Sequence, residues 1–372
     1  MKEKLLLVLS LASVALIFSL LLQALVPVSG FYGPVGAWWA LDFIGYALAM
    51  AVLVTAPSLF GKYLTPTPSN LGVLRSSMIA TMAGVLGGFG LVALGVSSLL
   101  GAELTGQLLS LAIVFALVPS LFSWLFSPLL INVMYGCKPD PVLQDIVNRV
   151  AQRAGMKPPK AVIATRMREP NAFAYSSPLF GSYVAVTEGM MRLAKGEELE
   201  AVIGHELGHH KHKDNTVMLI FGLIPSVVYF LGRFLAYMGF FSSGARYDGD
   251  GERRGGGGGF LLVLVGIALM AVSVIIQLAV LALSRLREHY ADVHGAMVTS
   301  PDAMISALAS LDSYYGSREV AKRRVEDSKL KMFFIYALAE PLVSLEELLA
   351  THPPIEKRIA FLEALKRTSL RA

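Results

Sequence analysis

The chain has a single cysteine, Cys137, which leaves it neither a disulfide framework nor a cysteine-based zinc finger. Charge is scarce too: 16% of residues are Asp, Glu, Lys or Arg, against about 25% in an ordinary soluble domain. The shortfall sits in long uncharged runs rather than being spread evenly. That excludes disorder, collagen-like repeats and an ordinary water-soluble enzyme. Lys and Arg gather into no stripe, and the net charge of +5 is modest, so no nucleic-acid partner is indicated. What is present, in 372 residues that are 55% hydrophobic, is the pattern of a multi-span membrane protein.

A membrane helix needs about 20 apolar residues. Leu5–Val28 carries no charge, is longer than a signal-peptide core and lacks a cleavage pattern, so an uncleaved first span is expected. Further runs lie near Ala37–Leu59, Met78–Leu100, Leu108–Met134, Val217–Phe241 and Phe260–Leu283. Asp42, expensive at membrane depth, is expected at an interface. Gly84, Gly87, Gly88, Gly90 and Gly95 are read as helix-packing positions. Ser242–Gly259 is polar and Gly-rich, with three basic and three acidic residues, and reads as a flexible loop. Six spans put both termini on one side, which also receives Lys2, Lys4, Lys62, Arg75 and the segment from Lys138. The positive-inside rule makes that side cytoplasmic.

Two stretches have the composition to fold in water, about 136–214 and 284–372; the flanking regions 1–135 and 215–283 hold about four spans and two. In the first, Asp140-Pro141 is an N-cap and N1 pair, and Gly155 marks the helix stop. Strand-like runs follow at Lys160–Thr165, Asn171–Tyr175 and Ser182–Val186, and a helix is expected from Glu197. In the second, the last apolar helix continues into Ser284–Met297. A helix follows Ser300-Pro301, then the basic patch Lys322–Arg324, read as a solvated face, and an amphipathic helix from Ile355. The fold class is therefore a multi-span α-helical membrane protein with a mostly α cytoplasmic domain containing a small β-sheet.

The helix from Glu197 carries His205-Glu206-Leu207-Gly208-His209, an HExxH motif. His205 and His209 lie one turn apart on one face, where both imidazoles reach a single metal. Glu206 projects beside that metal, placed to take a proton from an attacking water. A catalytic zinc takes three protein ligands, and no histidine follows at short spacing to supply the third. Ser284–Asp292 offers candidates: Glu288 and Asp292, four apart on one face, as ligand and as acceptor for the other ring N–H of a ligating histidine. As a merely solvated pair, two like charges at that spacing repel. His210 and His212 are expected in solvated positions, His289 and His294 at surface or packing positions, and Asp214 is expected to orient a helix end.

HELGH, SRLREHYAD after an apolar run, PNAFAY upstream and THPPIEKRI near the end together resemble the HtpX-like membrane zinc endopeptidases, to which the CaaX prenyl endopeptidases are related. The match covers roughly 140–372, with the motifs in the family's order. It implies one zinc per chain held by His205, His209 and Glu288, with Asp292 as the partner beside them. It also places Asn171, Ala172 and Phe173 by a strand edge that holds the substrate backbone, where main-chain bonds tolerate any sequence. The family commonly has two spans before the catalytic segment and four are counted here, so residues 1–135 borrow little from the resemblance.

Expected partners are protein or peptide substrates, damaged membrane proteins above all, and the lipid bilayer. Prenyl-protein processing is the alternative within the enzyme class, and a silent membrane scaffold the alternative outside it. A scaffold needs no ligand set. His352, fixed by Pro353 and Pro354, is a candidate oxyanion donor or latch on the metal, with a purely structural helix-entrance role as its rival.

Overall fold

The computed structural model describes residues 45, 47, 51, 52, 67–244, 257–316 and 352–369. The expected spans Leu5–Val28 and Ala37–Leu59, Asp42, most of the Gly-rich loop and the Lys322–Arg324 patch lie outside them, save four residues of the second span. Four described helices are long and apolar enough to cross a membrane. They are α1 (Leu71–Leu100), α2 (Ala102–Tyr135), α6 (Asp214–Gly244) and α7 (Gly257–Val298). Each runs past its apolar stretch: α1 starts ahead of Arg75, and α7 continues unbroken through Ser284–Asp292. A backbone already hydrogen-bonded i to i−4 has no reason to stop where hydropathy falls.

The chain divides into two compact units. One includes Ala83–Val118 and Phe221–Val280. Within it α6 and α7 approach through glycine: a Cβ on Gly232 would sit 2.6 Å from Gly266 O, and one on Gly239 2.4 Å from Gly259 O. No side chain fits there, which is how small residues bring membrane helices together. The expected packing role of Gly84, Gly87, Gly88, Gly90 and Gly95 is not met among the described residues. A Cβ at any of the five finds nothing within 4 Å.

The other unit includes Pro119–Ile220 and Leu281–Ala372. Its sheet has the order β1-β2-β4-β3, from Cys137–Pro139, Lys160–Ala164, Ala172–Ser177 and Gly181–Thr187. β2 and β4 run parallel and the other pairs antiparallel, so β3 is an edge. The three-residue β1 is too short to show the alternation of a strand in sequence. α3 (Pro141–Arg153) begins as expected, with Asp140 Oδ1 accepting from Leu143 N at 2.7 Å, and ends before Gly155 at φ +64°. After α4 (Glu188–Leu193), α5 (Glu197–Lys211) packs with α3 over one sheet face. Leu143, Val147, Val150, Val184, Val186, Ile203 and Leu207 close that core. α8 (Pro301–Gly316) and α9 (Ile355–Ser369) cover the outer side of α5, through Met304, Leu308 and Leu362 against Ala201. α5 is thus clamped, and its position determines the chemistry.

Candidate metal centre

Glycine sets where α5 meets α7. A Cβ on Gly204 would lie 3.1 Å from Gly295 Cα, and one on Gly208 3.2 Å from Ala291 Cα. Gly295 is tighter, with a Cβ meeting Ala201 O at 2.8 Å. His294 Nδ1 donates to Gly204 O at 2.9 Å across the same crossing. Two helices in contact at the backbone bring Glu288, seven residues before Gly295, opposite His205 and His209.

The two Nε2 atoms are 3.2 Å apart, and Glu288 places Oε2 3.5 Å from His205 Nε2 and Oε1 3.5 Å from His209 Nε2. Ligands at about 2.0–2.1 Å from a tetrahedral ion lie about 3.3 Å from one another, so the spacing fits zinc. Glu288 Oε2 is buried without an aligned hydrogen bond, although His352 Nδ1 approaches it to 2.8 Å. A buried carboxylate oxygen left in that state is what a cation completes.

The other ring nitrogens are held by carboxylates. His205 Nδ1 faces Asp292 Oδ1 at 2.9 Å, and His209 Nδ1 faces Asp214 Oδ2 at 2.7 Å. An ionised carboxylate only accepts, so each ring keeps a proton on Nδ1, which leaves Nε2 as the atom that can offer a metal its lone pair. Burial works against a charged ring at both histidines. The hydrogen bonds to Asp292 and Glu288 at His205, and to Asp214 at His209, outweigh it and raise both pKa values.

Each carboxylate is held in turn by an arginine. Arg358 of α9 clamps Asp292 with two bonds, Nε to Oδ2 at 2.8 Å and Nη2 to Oδ1 at 2.5 Å. Arg287 pairs with Asp214 and also donates to His212 O at 2.8 Å. The sequence alone assigns neither arginine a role and assigns Asp214 only the helix end. The joint explains it: Lys213 at φ 53° turns the chain sharply between α5 and α6, which folds Asp214 back onto His209.

The remaining histidines correct the solvated reading. His210 is half-buried and bonds Tyr183 O of β4 at 2.8 Å; burial pushes its pKa down. His212 packs on Tyr290 with ring centroids 4.4 Å apart, and burial lowers its pKa to about 4. His289 and His294 are both buried, His289 against the Phe361 ring, so packing describes them and surface does not.

Around the ligand set lies a cavity of about 340 Å³, lined by Glu206, His352 and the start of β3 at Asn171, Ala172 and Phe173. Every sequence-predicted site residue except Asp292 lines this one space, and Asp292 stands directly behind His205. Asn171 is pinned by its backbone, N to Thr187 Oγ1 and O from Thr187 N, each at 2.9 Å.

A membrane-helix protein with an HExxH helix, a carboxylate from a neighbouring helix and an edge strand beside them is built as a membrane metallopeptidase. Residues 138–366 match Peptidase family M48, and the chain belongs to that family. Among its relatives, the "Protease HtpX homolog" of Archaeoglobus fulgidus is 45% identical over 68% of this chain and 76% of its own. That of Pyrobaculum aerophilum is 40% identical over 88% of this chain and 96% of its own. The crystal structure of S. mikatae Ste24p shares the fold at TM-score 0.50 and 17% identity, covering 91% of this chain and 78% of that one.

Proposed function

We propose that the metal of this endopeptidase is zinc, held by His205, His209 and Glu288, with Glu206 as general base, and that it cleaves damaged or misassembled membrane proteins from the cytoplasmic side. The observation that carries the reading is the convergence of two Nε2 atoms and a buried carboxylate in a cleft bordered by a strand edge. Bound there, zinc supplies Lewis acidity toward the scissile carbonyl and lowers the pKa of water.

The chain's own residues supply the rest. Glu206 takes the proton of the attacking water and returns it to the leaving amine. Ala172 and Phe173 offer the edge of β3 to a substrate strand, and Asn171 fixes where that edge begins. Asp292 and Asp214 keep the imidazoles oriented. His352 faces Glu288 from the open side of the cleft and serves as oxyanion donor or as a latch. Residues 136–214 and 284–372 form the catalytic part, and 1–135 and 215–283 the membrane part. The peptidase reading is supported by the relatives named protease HtpX.

The test is cleavage of unfolded casein and of a membrane-protein substrate, with a chelator control. Glu206→Gln should keep zinc and lose most activity, whereas His205→Ala and Glu288→Ala should lose both. Full zinc occupancy and near-normal turnover in Glu288→Ala would remove it from the ligand set.

A further inference from the structure

A second, larger cavity of about 650 Å³ opens beside the catalytic cleft, between the second half of α2, strand β3 and the start of α6. The two spaces share Ala174, Asn215 and Met218, so one continues into the other. Its α2 wall is unusual for a membrane helix. Ser120, Ser123 and Ser127 recur at i, i+3 and i+7 and stand on one face with Trp124. The same turns present Phe122, Leu129 and Leu130 outward at 60, 46 and 50% exposure. The groove is therefore mainly apolar, with the serine hydroxyls and the indole set into its α2 wall.

Two details indicate that the lining is meant to be met by something. Trp124 Nε1 is buried and has no hydrogen-bond partner among the described residues. An N–H in that state is costly unless an acceptor arrives. Ser127 Oγ is already used, donating at 3.0 Å to Trp124 O, the carbonyl that Pro128 deprives of its helical donor. The helix therefore repairs its own defect with one serine and leaves the others and the indole for an occupant. The turn between β3 and β4 lies along the same helix, with the Phe180 ring 6.2 Å from Phe126 and Leu179 60% exposed beside it. Apolar residues at that turn fit a position against lipid.

We propose that this groove receives the part of a substrate that is still at membrane depth, an unwound apolar membrane-spanning segment, and passes it to the edge of β3. The proposal rests on the endopeptidase reading above and names its substrate class. Unwinding a helix in hydrocarbon leaves backbone N–H and C=O groups without water to bond. Hydroxyls, an amide and an indole N–H answer that need without reading side chains, while the apolar rim accepts them. An ordinary soluble peptide has no such requirement and reaches β3 directly.

The test uses the full chain, zinc-loaded, in lipid nanodiscs. One substrate carries its cleavage sequence at the end of a membrane-spanning segment, and the other is a soluble quenched-fluorescence peptide of the same sequence. Ser120→Leu/Ser123→Leu fills the groove at two residues that do not line the catalytic cleft. The kcat/KM for the membrane substrate should fall by about tenfold while the soluble peptide stays within about twofold. Trp124→Phe keeps the bulk and deletes the N–H, so a smaller loss confined to the membrane substrate is expected from a protein that folds normally. Parallel losses on both substrates, or no loss on either, overturn the groove. The endopeptidase reading fails separately, if the zinc-loaded wild type hydrolyses neither substrate.

Discussion

Asp214 is the residue whose removal is most informative. It orients His209 and neutralises Arg287 in one buried contact. Asp214→Asn should weaken zinc binding by about 10–100-fold, as loss of such a carboxylate does, measured by competition with a chelator; unchanged affinity would show that His209 orients itself. His205 and His209 make a second prediction. Their pKa values are raised, so a metal bound there displaces protons and its apparent affinity should fall as pH falls. Titration calorimetry in buffers of different ionisation heat should report release of about one proton or more per zinc near neutral pH. No release would mean the rings are already neutral. His352→Ala separates that residue's candidate roles: turnover should drop by roughly 100-fold for an oxyanion donor, rise for a latch, and stay unchanged with a lower melting temperature for a purely structural residue.

At the scale of elements, the crossing of α5 and α7 positions the ligands. Gly295→Ala puts a Cβ 2.8 Å from Ala201 O, against backbone that has nowhere to go. Overpacking of this kind costs about 1–3 kcal/mol. The variant should melt earlier and hold zinc less well even though no ligand has changed. An unchanged melting temperature would show that the helices slide apart freely. The crossing also marks what could be read from sequence. HExxH and the Glu288/Asp292 spacing are local patterns of helical period, and the residues they mark converge in the structure. Asp214, Arg287 and Arg358 act across a turn or between distant helices. Their pairings depend on the φ 53° bend at Lys213 and on where α9 lands, which no local period encodes. β1 escaped notice because three residues hold too little alternation to signal a strand. His210 and His212 read as solvated because polar residues beside a motif usually face water, whereas His210 bonds Tyr183 O and fastens α5 to β4.

At the scale of the whole molecule, the loop charges set the expected orientation. With Cys137 changed to Ala, an outside reagent should modify a cysteine at Ser243 and not one at Ser176. Labelling at Ser176 in intact cells would reverse the topology. A further consequence follows from the length of α7. It is one unbroken helix of 42 residues, so Glu288 sits on the same rod as the apolar stretch that begins near Phe260. From Gly257 to Glu288 that rod measures about 46 Å at 1.5 Å per residue. A tilt of about 5° would move its far end by about 4 Å, whereas ligand distances tolerate about 0.2 Å. Lipids that force α7 to lean would strain the glycine crossing or pull the carboxylate off the ion. Turnover should therefore pass through a maximum as acyl chains lengthen.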